Sequence, residues 1–248
     1  RKAVPEPYPG PNEEMLAAQV RVCTGPHQSR PLGLKPGDPE PRRILELVFA
    51  SLKGDLPHEQ QVSEAQMGAF FAAMSIRRKF GAKTGWSEAE SEAFDHYWDE
   101  LDQMPDDLRF LLNMESNFSG EGEGETRVVM ALRLILRGGH LSYDATRKAL
   151  DATLKGEVRP SLMAALLIGQ RMNIEEGEEV RAHLDAVRGP EEVLTVDVAS
   201  LTHFGQPFDG AARYFRPTLF VAAVRAALGR ATVLHGVDAM PPKRGVTE

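Results

Sequence analysis

The feature that most restricts this fold is a block that occurs twice. Ala50-Ser51-Leu52-Lys53-Gly54 recurs as Ala152-Thr153-Leu154-Lys155-Gly156. Each copy is followed by a helix of small and apolar residues, Gln66-Met67-Gly68-Ala69-Phe70-Phe71 in the first and Leu162-Met163-Ala164-Ala165-Leu166-Leu167 in the second. The offset is 102 residues at the first block and 96 at the second, so the first copy carries a loop six residues longer. A glycine after an apolar stripe is a helix stop, and side chains as small as Gly68, Ala69, Ala164 and Ala165 let two helices approach closely. Repetition of such a unit predicts a duplicated helical bundle, and does not by itself imply two active sites.

The helical reading extends on both sides. Ile44, Leu45, Leu47, Val48 and Leu52 form one apolar stripe. Ser63 with Gln66 and Ser87 with Glu90 have the spacing of capping boxes, each opening a helix. The second of these helices and its exit, Ser87–Asp107, hold nine acidic residues and no Lys or Arg. Asp95/Asp99 and His96/Glu100 stand four apart, a spacing that could share a cation, but such a run reads first as a solvated acidic face. Trp86 and Trp98 read as core or rim packing. Helices are also expected over Thr126–Arg137, Tyr143–Leu154, Pro160–Met172 and Glu175–Val187, with His140 and His183 on the surface.

Residues 1–42 hold nine of the seventeen prolines, which predicts an extended, irregular arm, interrupted by a short helix over Glu13–Val22, that wraps the body or tethers it. The arm gives way at residue 43 to a first helical repeat reaching residue 115. Ser116–Glu125 is an acidic, glycine-rich linker, and residues 126–190 form the second helical stretch. Past Pro190, Val193–Val198 reads as a buried strand, Pro217–Leu228 as a helix and Ala231–Leu234 as a second strand. That is a βαβ unit with parallel strands, and two strands alone do not make a stable parallel sheet. The expected fold class is therefore mostly α: a duplicated helical-bundle domain followed over 191–248 by the start of an incomplete parallel α/β domain.

Composition bounds the function. With 42% hydrophobic and 26% charged residues the chain can bury a core. No apolar run is long enough for a membrane span. The net charge of −7 argues against nucleic acid as the main partner. The excess is uneven. Ala211–Glu248 holds six basic and two acidic residues, a local +4, against 23 and 34 in the other 210, or −11. A positive end on an acidic chain suits a bound anion or a partner surface. Cys23 is the only cysteine, which excludes an internal disulfide and points to a reducing compartment and an inert thiol. A chain that starts with Arg1 rather than Met is expected to be processed or excised, and it shows no secretory apolar segment.

Leu141-Ser142, Ala145, Ala149-Leu150, Leu154-Lys155-Gly156-Glu157 and Ala164–Met172 with Gln170-Arg171-Met172 resemble the N-terminal helical domain of the family that contains anthranilate phosphoribosyltransferase and the pyrimidine nucleoside phosphorylases. Val196-Asp197-Val198, His235-Gly236 and Lys243 to Gly245 are similar to that family's phosphoribosyl-binding end. Leu201–Gly205, Phe208-Asp209-Gly210 and Phe215–Ala223 resemble a divergent plant and algal branch, which implies a plastid location. The resemblance implies a phosphoribosyl (glycosyl) transferase of tryptophan-biosynthesis-like type. Phosphoribosyl diphosphate, or another small anion, would bind at Thr202, Gly205, Asp209, Gly210, Arg213, Arg216, Thr218, Lys243 and Gly245. His235 and Gly236 would lie on the acceptor side, Mg²⁺ would be the cofactor, and a homodimer would form through the helical domain. His235 also reads as a structural imidazole at a strand end, and His203 as a polar-loop residue.

The sequence departs from the family where the chemistry is done. The family's Gly-Thr-Gly-Gly-Asp run is replaced by the longer Ser200–Gly210, the Lys before His-Gly is Leu234, and the Asn after it is Val237. Arg213 and Arg216 would have to supply the lost phosphate contacts. The alternative is a degenerate descendant, a non-catalytic helical interaction subunit of a larger assembly. No catalytic residue is assigned by either reading.

Overall fold

The computed structural model describes residues 10–188, 196–206, 217–236, 239–240 and 243–244. It divides into two compact units, Arg1–Arg188 and Gly189–Glu248, each described by itself.

The first unit is a helical bundle built twice. Helices α1 (Glu13–Val22), α2 (Pro41–Lys53), α3 (Glu64–Arg77) and α4 (Glu88–His96) form one set. Helices α5 (Trp98–Asp102) and α6 (Asp106–Leu112) then lead to a second set: α7 (Gly122–Ile135), α8 (Tyr143–Leu154), α9 (Pro160–Asn173) and α10 (Gly177–Val187). The two sets pack in the same order. α1 touches α2 and α3, and α2 touches α4; likewise α7 touches α8 and α9, and α8 touches α10. The sets are joined most extensively through α3 against α9, and a single core runs through both, from Met15 and Leu32 by way of Phe70, Phe71 and Phe110 to Leu132 and Leu166.

Local chemistry explains the boundaries. Gly54 and Gly156, the glycines that close the repeated block, have φ of 74° and 72°, a conformation open to glycine but strained for other residues. Both expected capping boxes form, Ser63 with Gln66 and Ser87 with Glu90. In the second, Glu90 does more than cap. With Arg77 it forms a fully buried ion pair at 2.7 Å, and it also accepts from the Leu32 N–H at 3.1 Å. Arg77 completes its fork on the Thr84 and Gly85 carbonyls.

Several expectations change. From Gly10 to Glu40 the proline-rich arm wraps and belongs to the core: α1 buries Met15, Ala18 and Val22, and Leu32 is fully buried. The Gln66 side chain ties it down by accepting from the Asn12 N–H and donating to the Asn12 carbonyl, both at 3.0 Å. The acidic helix is not continuous: α4 stops at His96 and α5 starts at Trp98, with Tyr97 at φ −101° and ψ 22° between them. The four-residue spacing of Asp95/Asp99 and His96/Glu100 therefore crosses a break. α7 starts at Gly122, inside the stretch read as linker, and buries Glu125.

The second unit is a small parallel βαβ arrangement. Strand β1 (Thr202–Gln206) pairs in parallel with β2 (Thr232–Gly236), and α11 (Thr218–Ala227) lies between them in sequence. Two residue pairs, β3 (Ala239–Met240) and β4 (Lys243–Arg244), bridge antiparallel. The first strand is not where the apolar run placed it. Val196–Val198 is exposed and irregular, residues 193–195 lie outside the described residues, and Ser200, with φ of 57°, turns the chain just ahead of β1. The β1 segment, Thr-His-Phe-Gly-Gln, has one large apolar residue, so hydropathy did not mark it; pairing with β2 defines it.

Candidate functional site

In a parallel βαβ unit, ligands gather at the carboxyl ends of the strands, where the chain turns toward the crossover helix. The register of β1 on β2 sets which residues stand there. Gly205 pairs with His235, and Gln206 with Gly236, the last two rungs of the ladder. Three residues singled out from sequence, Gly205, His235 and Gly236, thus share one strand end. Thr218 opens α11, whose first turn contains no acidic residue, so the partial positive charge of its free N–H groups is not offset there.

Thr202 stands apart from them. It begins β1, paired with Thr232 at the opposite end of the ladder, roughly 13 Å of extended chain from Gln206. Arg225, near the end of α11, donates from Nε to the Thr232 hydroxyl at 3.1 Å and from Nη2 to the Thr202 hydroxyl. One of the six basic residues of the positive C-terminal stretch is therefore engaged in holding helix to strands. His203, read as a loop residue, lies within β1 with its side chain exposed. Lys243 sits in β4, opposite Met240. Asp209, Gly210, Arg213, Arg216 and Gly245 lie outside the described residues. Among the described residues no group of three or more His, Cys, Asp or Glu side chains could hold a metal ion.

The helical unit has two polar centres that the sequence did not reveal. Glu179, fully buried at the start of α10, accepts from the Leu141 N–H at 3.0 Å, the Glu176 N–H at 2.9 Å and Gln170 Nε2 at 3.0 Å. His140 Nδ1 lies 3.1 Å from the same carboxylate, and His183 Nε2 lies 3.0 Å from Gln170 Oε1. Both histidines, expected on the surface, are half-buried in this network. Burial raises the Glu179 pKa, but the converging donors outweigh it and hold the carboxyl below its ordinary value. The second centre is Arg159, bidentate on Glu125 at 2.7 and 2.9 Å. Burial again acts to raise Glu125, and hydrogen bonds from Arg159 and from the Glu121 and Arg159 N–H groups bring it below the usual carboxylate range. The available cue was a Glu three residues past a Glu at Glu176–Glu179, a capping-box spacing with an unusual cap. Both centres are fully partnered and read as structural.

Two side chains fit their sequence readings. Trp98, 59% exposed, stands on the rim of an open concavity of about 360 Å³ between α5, α6 and Asn113–Phe118. The Cys23 thiol faces the Ala69 carbonyl, and burial pushes its pKa up to about 12, which suits an inert thiol.

Residues 129–189 match the family described as glycosyl transferase family, helical bundle domain. The second four-helix set is similar to a glycosyl transferase family helical bundle domain. The match takes in the second half of α7 and all of α8, α9 and α10. The chain is also 28% identical over 114 residues to the anthranilate phosphoribosyltransferase of Rhodopseudomonas palustris (strain BisA53), an alignment covering 46% of this chain and 33% of that protein. The chain thus spans about a third of the length of the curated relative it matches. No solved structure matches it. The second helical set and the parallel unit after it follow the order expected from the resemblance: helical domain first, βαβ second.

Proposed function

We propose that this chain is a phosphoribosyl transferase-type protein that binds phosphoribosyl diphosphate at the carboxyl ends of β1 and β2. The observation that carries the reading is the register that sets Gly205 beside His235 and Gln206 beside Gly236, with the amino end of α11 following in sequence. Glycines at a strand end allow backbone N–H groups to approach phosphate oxygens, and a helix amino terminus adds partial positive charge. Arg213 and Arg216, just before α11, supply the charge in place of a longer glycine run. Thr218 offers a hydroxyl at the helix start. Thr202 takes no part in this version of the site, because its hydroxyl serves Arg225.

The chemistry is displacement at the anomeric carbon of the ribose, with the diphosphate leaving. The protein contributes by orienting the two reactants and stabilising the charge that builds on the leaving group. Mg²⁺ bound to the diphosphate would neutralise part of that charge. His235 and Gly236 face the acceptor in this reading, and anthranilate is the acceptor to try first.

Titration of the purified chain with phosphoribosyl diphosphate and Mg²⁺ tests the proposal by calorimetry or thermal shift. Saturable binding is expected, weakened about tenfold or more by Arg216→Ala, the loss of one charge-assisted contact. No heat and no shift at millimolar ligand would remove the phosphoribosyl reading. The second reading, a non-catalytic interaction module, draws on Leu219, Val224 and Leu228 of α11 and its vicinity, all more than 60% exposed. Turnover of anthranilate by the chain alone would end it.

A further inference from the structure

The two four-helix sets meet through equivalent faces. α3 occupies in the first set the place that α9 occupies in the second, and these two helices make the main contact between the sets. The flanking contacts are reciprocal. Lys79, just past α3, donates through Nζ to the Leu136 carbonyl just past α7, at 3.1 Å. Met172, at the end of α9, accepts through Sδ from the Gly25 N–H just past α1, at 3.2 Å. In both directions the end of a third helix reaches the end of the other set's first helix. Gly68 of α3 lies on the Ser161 backbone of α9, the close approach between the sets, while a Cβ at Gly169 of α9 would meet Ile76 of the other set at 3.7 Å and Ile135 of its own set at 2.5 Å. The buried glutamates repeat as well. Glu90 of α4 accepts from the Leu32 N–H ahead of α2, and Glu179 of α10 from the Leu141 N–H ahead of α8.

Contact of i with j′ matched by contact of j with i′ is the mark of a two-fold, like-to-like interface, normally found between two identical subunits. We infer that α9 and its surroundings form a docking face for a like four-helix unit, and that this chain supplies the partner from within itself, α1–α4 sitting where a second copy would. The second helical set therefore needs no second chain on this face, and the homodimer expected from sequence does not form through it. The connection through α5, α6 and residues 113–121 is what keeps the pairing inside one molecule. Nothing in this inference depends on phosphoribosyl binding.

The test is to make the internal pairing impossible while leaving both faces intact. Deletion of Ser116–Gly120 shortens the connection, so α1–α4 of one molecule should dock on α7–α10 of another, and the mass by light scattering should double relative to the parent with helical circular dichroism retained. A variant that keeps its helicity and the parent's mass overturns the inference. A second variant covers the case in which the deletion does not fold. With a protease site inserted in the same loop, the cleaved chain is unfolded in urea and diluted back. Like units that dock should restore the helical signal with a midpoint that rises with protein concentration; halves that stay unfolded at 100 µM also overturn it.

Discussion

Gly68→Ala sets two physical effects of opposite sign against each other. In an exposed helix interior the change would stabilise, since alanine is preferred over glycine by about 1 kcal/mol. At this position an ideal Cβ would lie 2.0 Å from the Ser161 carbonyl oxygen and 2.6 Å from the Ser161 carbonyl carbon and Cα. Carbon–oxygen contacts settle at about 3.3–3.6 Å, so α3 and α9 must separate by more than about 1 Å. All three opposing atoms are backbone, so no rotamer change relieves the clash. A gap of 0.5–1 Å already forfeits roughly a quarter to a half of the dispersion energy of the atoms facing it, and overpacking in well-filled cores costs about 1–3 kcal/mol or more. The crossing joins both halves of the core, which argues for the upper part of that range. After the propensity gain, the expected net loss is about 2 kcal/mol, a fall in melting temperature of about 4–8 °C for a unit of this size. Thermal and urea melts followed at 222 nm measure it. Gly177→Ala is the control: it lies at the first position of α10 with no atom within 4 Å of an added Cβ and should melt at or slightly above the parent. A Gly68→Ala protein as stable as the parent would refute the close crossing of α3 on α9.

Two further outcomes follow from the buried polar groups. Glu90→Gln keeps the shape of the side chain but leaves Arg77 charged and fully buried without a counter-ion, a change that costs about 3–5 kcal/mol; a urea-derived loss below about 1 kcal/mol would contradict the pairing. Glu125 and Glu179 are both held below ordinary carboxylate values in the folded chain. Their contribution is complete above the unfolded carboxylate pKa of about 4.3 and disappears as pH falls through the lower folded values. The melting temperature should therefore hold from pH 7 to about 5 and fall below about 4, with a shallower fall in Glu179→Gln. An equally steep acid decline in that variant would show that its carboxylate contributes nothing.

What could be read from residues alone was local. Helix periods, the Ser63 and Ser87 caps and the glycine stops at Gly54 and Gly156 depend on interactions within a few positions, so the duplicated bundle was legible before any coordinates. The residues now grouped at the strand end, Gly205 with His235 and Gly236, were marked in advance only through the resemblance to the phosphoribosyltransferase family, since a glycine or a histidine at a strand end carries no such meaning by itself.

Tertiary structure alone decided the rest, and the reason is the same each time. Whether the proline-rich arm wrapped or trailed depended on Gln66 reaching Asn12 across more than fifty residues. The position of β1 depended on pairing with β2, and Thr202 was removed from the candidate site by Arg225, which arrives from a helix 23 residues later. His140 is drawn inward by a glutamate buried at the head of α10, and His183 by Gln170, which donates to the same glutamate. A chain specifies its periods and stops position by position, but which polar groups meet is settled by the free energy of burying them together, and that term exists only once the helices have packed.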